Sequence, residues 1–319
     1  MKTPHTSRRH FLRLLPAAAL CGCDDSRPAP GPRFPKIRKR VTSTTPFAAD
    51  MVSAIGGEAV DSRSFVPAGV NLHSFAPTAA ETAKFHTSDI VFTHGLGLES
   101  RWPADFEALG KDGVRVFSAT STIPEDRIIR PSGPGGPPDP HVWMHPELAA
   151  QMVDVVETAL KEVMPKLTDY FTPRAHKLRL AFKEAMTFVS AKMKNLKPED
   201  RFLFTTHDSM QYFAAAFSLE ARALAVPSAT LPESLSPDIA GWISTHRVRT
   251  LFREPFTDVI ALRRLLVDFK VDPDHIIYSL ALPPSGTTAL VGFKSYDVFT
   301  AAEALSYSAD MIQSTLEVD

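Results

Sequence analysis

The sequence contains little cysteine and no apolar run long enough to span a membrane. Its 319 residues include two cysteines, Cys21 and Cys23, and both lie near the start of the chain. Every later position is free of cysteine, which excludes a disulfide framework and a cysteine-based zinc site for the main part of the chain. The apolar stretch over residues 14–20 is too short to cross a bilayer.

An excess of charge of either sign is also absent. The chain has 35 Lys and Arg residues against 36 Asp and Glu residues, a formal net charge of −1. Since no basic stripe stands out, nucleic acid is not a predicted partner. An apolar content of 44% and a charged content of 22% are typical of a soluble globular protein. The length is enough for two domains of ordinary size.

Residues 1–23 are predicted to be a targeting segment. The stretch SRRHFL at 7–12 resembles the twin-arginine export signature of bacteria. The stretch LCGC at 20–23 resembles a lipoprotein cleavage box in which Cys23 is the lipidated residue; a disulfide or redox pair of the two cysteines is the alternative. Residues 24–37 are rich in proline and would tether a folded domain off a membrane. We therefore expect a lipid-anchored protein in the periplasm or on the extracytoplasmic face of a bacterial membrane, exported by the twin-arginine route.

From residue 38 onward, extended and helical patterns alternate, which predicts parallel sheets with helices on both faces. The longest helical pattern has apolar residues in steps of three and four, and it is predicted to open at Thr172-Pro173 and to end before Pro198. Shorter patterns predict a helix over 99–109 and a strand over 275–282. We therefore predict an α/β fold of two (β/α) lobes joined by a single long rigid helix. The predicted segments are an N-terminal lobe over 38–165, the linking helix over 166–198 and a C-terminal lobe over 199–319.

Three histidines are candidates for one binding site between the lobes. His73, His141 and His207 are about 67 residues apart, each where an extended segment is predicted to give way to a turn. Open α/β sheets bind ligands at the carboxyl ends of their strands, and imidazole is the commonest metal ligand. Three neutral imidazoles are enough for a zinc site with an open fourth position. The sequence therefore predicts a metal site.

Three motifs carry a resemblance to a known family. They are GLGLE at 95–99 followed by Trp102, DPHVW at 139–143, and THD at 206–208 followed by Tyr212-Phe213. Together they resemble the zinc- and manganese-binding solute-binding lipoproteins of bacterial ABC importers, the ZnuA/TroA-like family (cluster A-I, or cluster 9). The resemblance covers about residues 38–315 and implies two (β/α) lobes with the metal between them.

The resemblance also implies a set of ligands. His73, His141 and His207 match the first, second and third metal ligands of the family. A histidine at the third position is similar to the zinc-preferring branch, because manganese-preferring members tend to have a carboxylate there, and imidazole suits Zn²⁺ better than Mn²⁺. We expect Zn²⁺, with Mn²⁺ or another divalent metal as the less favoured alternative.

One departure from the family pattern concerns the fourth ligand. The family usually supplies an aspartate in a turn after a late strand, and the matching stretch here, LPPSG at 282–286, has Pro283 at that position. Proline cannot bind a metal through its side chain. The expected site is therefore three histidines plus water, or three histidines with another ligand recruited.

Two further histidines are candidate ligands. His94 is predicted at a strand end facing the same crevice, as a substitute ligand or a support for one; a hydrogen bond that stabilises its turn is the alternative. His145 follows His141 by four residues, which would place both on one face of a helical turn; a cap at the helix opening with Pro146 is the alternative.

Two acidic residues are candidates for orienting the ligands. Metal-binding histidines usually donate their second nitrogen to a carboxylate or carbonyl, and Asp208 and Glu254 are predicted near enough to serve. Helix capping or a pairing with Arg253 is the alternative. The Pro/Gly-rich loop over 131–140 contains no histidine, so we expect an irregular connection, ordered or disordered, with no role in collecting metal.

The resemblance implies a monomeric, membrane-tethered receptor that captures Zn²⁺ and delivers it to the permease and ATPase of an ABC importer, without enzymatic activity. One alternative keeps the fold and changes the role to a periplasmic metal chaperone or adhesin with an altered site. Another is a hydrolase built on a three-histidine zinc. It would need a general base, for which Asp208 or Glu254 could be proposed, and the chain has no His-Glu-x-x-His motif.

Overall fold

A computed structural model describes residues 38–225, 231–283, 288–291, 294–297 and 300–317. The predicted leader over 1–23, with Cys23, and the predicted tether over 24–37 lie outside the described residues. Within the described part of the chain, no helix combines the length and the apolar character needed to cross a bilayer.

The N-terminal lobe is built on a four-stranded parallel sheet with the strand order β2-β1-β3-β4. Its strands are β1 (Lys39–Ser43), β2 (Val60–Ser64), β3 (Ile90–Thr93) and β4 (Arg115–Ser118). Its helices are α1 (Pro46–Gly56), α2 (Ala79–Thr82), α3 (Phe106–Lys111) and α4 (Pro146–Val163).

The C-terminal lobe repeats this plan with a second four-stranded parallel sheet in the order β6-β5-β7-β8. Its strands are β5 (Phe202–His207), β6 (Glu220–Ala225), β7 (Thr250–Arg253) and β8 (Asp272–Ile276). Its helices are α6 (Gln211–Phe217), α7 (Pro237–His246), α8 (Val259–Leu266) and α9 (Ala301–Leu316). A short antiparallel pair, β9 (Thr288–Val291) and β10 (Lys294–Asp297), was not predicted.

Between the lobes runs α5 (Thr168–Lys194), a helix of 27 residues. It packs against α1, α4 and α9 through a buried apolar face. That face consists of Phe171, Ala175, Leu178, Phe182, Ala185, Val189 and Met193. The prediction of two α/β lobes joined by one long helix is confirmed.

The predicted opening of this helix at Thr172-Pro173 was wrong. The helix begins at Thr168, and Pro173 lies inside it. A proline near the start of a helix removes one backbone hydrogen bond, to the carbonyl of residue 169. The Thr172 side chain supports this turn by donating to the Thr168 carbonyl at 2.9 Å. The proline is therefore accommodated in the helix and does not open it.

Local sequence determines where several helices begin and end. The Thr45 side chain accepts a hydrogen bond from the Ala48 amide, and Pro46 occupies the first turn, so α1 begins at Pro46. It ends at Gly56, followed by Gly57 at φ 48°, a left-handed conformation that favours glycine.

Two shorter predictions were wrong in extent. Residues 99–105 form turns, and the helix predicted over 99–109 is α3, which Asp105 caps by accepting from the Ala108 amide at 2.9 Å. Pro103 disfavours a helical conformation at the residue before it, so the helix starts only after this point. The strand predicted over 275–282 is β8, which ends at Ile276; residues 277–282 leave the sheet and remain buried.

Candidate metal centre

Three histidine side chains meet between the two lobes. His73, His141 and His207 each offer one ring nitrogen, and these atoms all lie within 4.8 Å of one another. The Nε2 atoms of His73 and His141 are 2.9 Å apart. The three ring centroids are 4.6–5.2 Å apart. The structure therefore brings together all three residues that the sequence singled out.

Their predicted positions at strand ends hold for one of the three. His207 is the last residue of β5. His73 lies nine residues beyond the end of β2, and His141 lies on the long connection after β4, next to a short 3₁₀ turn over Val142–Met144. The two N-terminal histidines therefore reach the centre from loops, and the structure of those loops determines where their rings lie.

His73 is held by its own loop. Its backbone amide donates to the Asn71 side-chain oxygen at 2.8 Å, a local turn of the kind that asparagine favours. Its carbonyl accepts from the Arg101 guanidinium at 3.3 Å. Two hydrogen bonds between side chains and the His73 backbone therefore hold this loop, which contains no helix or strand.

His141 is oriented by Asp139. The carboxylate Oδ1 of Asp139 accepts from the His141 Nδ1 at 2.6 Å and from the His141 backbone amide at 2.8 Å. Both side chains are almost fully buried. A proton held on Nδ1 leaves the lone pair on Nε2, the nitrogen that points at His73.

Tyr212 of the C-terminal lobe closes the Pro/Gly-rich loop. Its hydroxyl accepts from the Ile129 amide at 2.9 Å and donates to the Asp139 carbonyl at 3.1 Å. The Asp139 amide donates to the Ile129 carbonyl at 2.8 Å. The loop is therefore an ordered but irregular connection, pinned at its neck beside His141.

His207 is buried, and its Nδ1 has no hydrogen-bond partner among the described residues. Hydrogen bonds fix its backbone, because its carbonyl accepts from the Thr205 hydroxyl at 2.7 Å and from the Ser209 amide at 2.9 Å. The C-terminal lobe thus positions the strand end and leaves the second ring nitrogen unpaired.

All three imidazoles are neutral at pH 7. Burial lowers the pKa of His73 to about 3, and the neighbouring His141 and Arg101 lower it further because they disfavour a second positive charge. Burial likewise lowers the pKa of His141 to about 3 and that of His207 to about 2. A neutral imidazole has a free lone pair, so the three rings are in the protonation state that metal binding needs.

His94 lies outside this group of three. Its Nε2 donates to the Pro140 carbonyl at 2.7 Å, and its ring meets Trp143 edge-on with centroids 4.9 Å apart. The next residue, Gly95, has φ 92°, and a Cβ there would lie 2.4 Å from the Ser118 hydroxyl. Glu99 closes this turn by accepting from the His94 amide at 2.6 Å. His94 therefore supports the backbone next to His141, and its Nε2 is engaged there.

His145 caps a helix, which was the alternative to its role as a ligand. Its Nδ1 accepts from the Glu147 amide at 3.2 Å at the start of α4, and its Nε2 lies 3.1 Å from the Arg127 guanidinium. Both ring nitrogens thus have partners away from the three-histidine group.

Asp208 and Glu254, predicted to orient the ligands, make their hydrogen bonds elsewhere. Asp208 accepts from the Gln211 side chain at 2.6 Å. Glu254 is buried and accepts from the amide and hydroxyl of Ser279. The Ser279 hydroxyl lies 2.5 Å from that of Ser209, two residues after His207. Glu254 therefore acts on the strand end that carries His207 and makes no direct hydrogen bond to a ring.

Pro283, which the family resemblance matches to an aspartate ligand, lies in a buried, apolar stretch. Pro283 and Leu282 are both buried, and the Leu282 carbonyl accepts from the Gly69 amide at 3.0 Å. Among the side chains that the structure describes, no carboxylate joins the three imidazoles. The residues at 284–287 are not acidic either.

Sequence reasoning missed four contributors to the centre. They are Arg101, Asp139, Trp143 and Tyr212. Asp139, Trp143 and Tyr212 lie inside or beside the quoted motifs, so those motifs could have identified them as part of the site. Trp143 donates from its indole to the Ser279 carbonyl at 2.8 Å and so links the His141 loop to the C-terminal lobe. Arg101 follows the GLGLE motif by two positions, and no sequence pattern marked it as part of the site.

Several characterised proteins are similar to this chain. It is 28% identical over 280 residues to the zinc-binding protein TroA of Treponema pallidum, covering 83% of this chain and 88% of TroA. It is 28% identical over 185 residues to the manganese-binding lipoprotein MntA of Bacillus subtilis, covering 58% of this chain and 60% of MntA.

Solved structures show the same architecture. The periplasmic zinc-binding protein TroA from Treponema pallidum superimposes with a TM-score of 0.75 at 26% identity, covering 88% of this chain and 99% of TroA. The Mn-bound periplasmic metal-binding protein from Candidatus Liberibacter asiaticus gives a TM-score of 0.72 at 19% identity, covering 88% of this chain and all of that one. At that identity the second likeness concerns the fold alone.

A family profile covers most of the chain. Residues 41–288 match the family described as "Zinc-uptake complex component A periplasmic" (ZnuA). The members of this family are solute-binding components of transporters, in agreement with the prediction of a binding protein without enzymatic activity. With its two lobes, its linking helix and its three motifs, the chain belongs to the ZnuA family.

Proposed function

We propose that this chain binds one Zn²⁺ ion between its lobes through His73, His141 and His207. The observation that carries the proposal is the convergence of three neutral, largely buried imidazoles within 4.8 Å of one another. Zinc binds nitrogen ligands readily in a four-coordinate site. Three imidazoles without a carboxylate favour Zn²⁺ over Mn²⁺, which prefers oxygen ligands.

The metal is the cargo of a transport system. Relatives with this fold include a zinc-binding protein and a manganese-binding lipoprotein, and the family is described as a periplasmic component of zinc uptake. The chain would act as a monomer on the extracytoplasmic side, capturing Zn²⁺ and delivering it to the permease and ATPase of an ABC importer. The membrane anchor would be a lipid on Cys23.

Metal content and zinc affinity test the binding site. The purified chain should hold about one zinc per molecule and compete for it against a chelator, with much weaker competition for Mn²⁺. His207→Ala should lose the zinc. His176→Ala, which removes an exposed histidine of α5, should keep it. Equal zinc binding by both variants would overturn the three-histidine site, and preferential retention of manganese would overturn the zinc assignment.

Export and anchoring need a separate test. Replacing Arg8 and Arg9 together with lysine should abolish export if the twin-arginine route is used. Cys23→Ser should release the protein from the membrane fraction while leaving zinc binding unchanged. Normal export of the first variant, or continued membrane association of the second, would contradict the corresponding part of the proposal.

A further inference from the structure

A cavity of about 480 Å³ opens directly onto the three histidines. A bare metal ion occupies only a small fraction of such a volume, whereas pockets for small organic ligands begin at roughly 300 Å³. Leu96, Leu98, Pro131 and Pro137 supply much of its apolar wall. The space next to the metal position is therefore large enough for a small molecule.

Among the described residues the centre is one ligand short of a tetrahedral zinc site. Three neutral imidazoles leave the fourth position of a tetrahedral zinc open and do not offset its two positive charges. The family position for a carboxylate is Pro283, and among the described side chains no carboxylate joins the group. The cavity gives a fourth ligand access to the metal position, and a carboxylate there would offset part of the charge of the metal.

A positive charge also faces this cavity. Arg101 lines it, exposed to solvent and tied to the His73 carbonyl at 3.3 Å. The positive charge of Arg101 disfavours a positive charge on the His73 ring. For the same reason it repels a divalent cation bound to that ring. An arginine beside a cation site is favourable when an anion lies between the two charges.

Two carboxylates also lie on the cavity wall, and each accepts a hydrogen bond from a neutral side chain. Asp139 accepts from His141, and Asp208 accepts from Gln211. Among the described residues that line the cavity, Arg101 is the one cation, and its planar guanidinium suits bidentate pairing with a carboxylate.

We propose that the cargo is zinc chelated by a small di- or tricarboxylate. One carboxylate would complete the coordination of the metal in place of the family's aspartate, and another would pair with Arg101. This inference rests on the proposed zinc site and specifies the chemical form in which the metal is bound.

Equilibrium dialysis of the purified full-length chain with radiolabelled citrate, and separately malate, tests the proposal. At least one acid should be retained at about one molecule per bound zinc, and neither should be retained in the absence of zinc. If zinc binds without either acid, or if the acids only strip zinc from the protein, the proposal is overturned while the three-histidine zinc site stands. If zinc does not bind under any condition, the proposed zinc function fails, and this inference fails with it.

Variants of Arg101 assign the second contact. Arg101→Ala should weaken retention of the acid by about tenfold or more beyond any loss of zinc affinity that the same variant shows without acid. Arg101→Lys should restore part of the retention, since it keeps the charge but loses the bidentate fork. Arg63→Ala, which removes an exposed arginine of β2, is the matched control and should behave as the wild type. Unchanged retention in Arg101→Ala would overturn the role of Arg101.

Discussion

The two lobes have the same sheet plan but prepare their histidines differently. Each has four parallel strands in an equivalent order. The N-terminal lobe contributes His73 and His141 from loops that local hydrogen bonds hold, whereas the C-terminal lobe contributes His207 from the end of a strand. In the N-terminal lobe, side-chain hydrogen bonds position the two histidines. In the C-terminal lobe, the end of strand β5 positions His207.

The difference extends to the second ring nitrogen of His141 and of His207. His141 has a buried carboxylate on its Nδ1, while the Nδ1 of His207 has no partner among the described residues. A hydrogen bond at that position fixes the tautomer and raises the basicity of the ligand. The N-terminal half of the site is therefore preorganised for metal, and the C-terminal half relies on packing.

The largest expected effect is the loss of a ligand from the preorganised half. His141→Ala should lower zinc affinity by more than about 100-fold, because outer hydrogen-bond partners alone contribute 10- to 100-fold. The loss of zinc affinity in His141→Ala should equal or exceed the loss in His207→Ala. Chelator competition measures both, and a clearly larger loss for His207→Ala would reverse the comparison.

The next effect isolates the hydrogen bond to His141. Asp139→Asn keeps the size of the side chain but offers a weaker acceptor to Nδ1, so zinc affinity should fall by about 10- to 100-fold. Asp208→Asn is the matched control, since Asp208 bonds to Gln211 instead of to a ring. Titration of zinc against a fluorescent indicator would show whether the two variants differ as expected.

A third prediction concerns the stability of the C-terminal half. Burial raises the pKa of Glu254 from its ordinary 4.5 to about 7. The folded state therefore holds this proton more tightly than the unfolded chain. The stabilising contribution of the protonated carboxyl is fully present below about pH 4.5 and is lost as the pH rises through about 7.

Glu254→Gln stays neutral throughout, so its free energy of unfolding should fall less than that of the wild type between pH 4.5 and 7.5. The difference should be on the order of 1–3 kcal/mol. Denaturant melts at several pH values measure it. Glu184→Gln, which changes an exposed carboxylate of α5, serves as the control, and parallel curves for Glu254→Gln and the wild type would contradict the assignment.

The smallest effect tests the contact by which the C-terminal lobe supports the N-terminal loop. Tyr212→Phe leaves the Ile129 amide and the Asp139 carbonyl without the hydroxyl. We expect a loss of about 1–2 kcal/mol of stability, the usual contribution of one or two buried hydrogen bonds. Zinc affinity should fall only a few-fold, and a fall as large as that of Asp139→Asn would show that the tyrosine does more than close the loop.

Much of the fold could be predicted because local patterns and tertiary structure agree. The alternation of extended and helical patterns predicted the two α/β lobes, and apolar residues in steps of three and four predicted the long helix α5. The prediction failed for residues 99–105, where turns precede α3, and for the end of β8, where the short apolar run 277–282 is buried without joining the sheet.

The site could be predicted in part, for a similar reason. The three histidines lie in motifs, so their convergence followed from the family resemblance. The choice of Asp208 and Glu254 as partners used proximity in sequence to a ligand or a strand end, whereas Asp139 reaches His141 because a Pro-containing turn folds its side chain back. Arg101 depends on the path of two loops, which no local pattern specifies.

The apolar core is divided in a way that bears on how the protein comes apart. One continuous cluster joins both lobes through α1, α5 and α9, whereas a smaller cluster lies between the C-terminal sheet and helices α7 and α8. On β5, Leu203 belongs to the first cluster and Phe204 to the second, as expected for alternate faces of a strand. The two lobes should therefore unfold as one cooperative unit, while the amide protons of α7 and α8 exchange with solvent earlier by local opening.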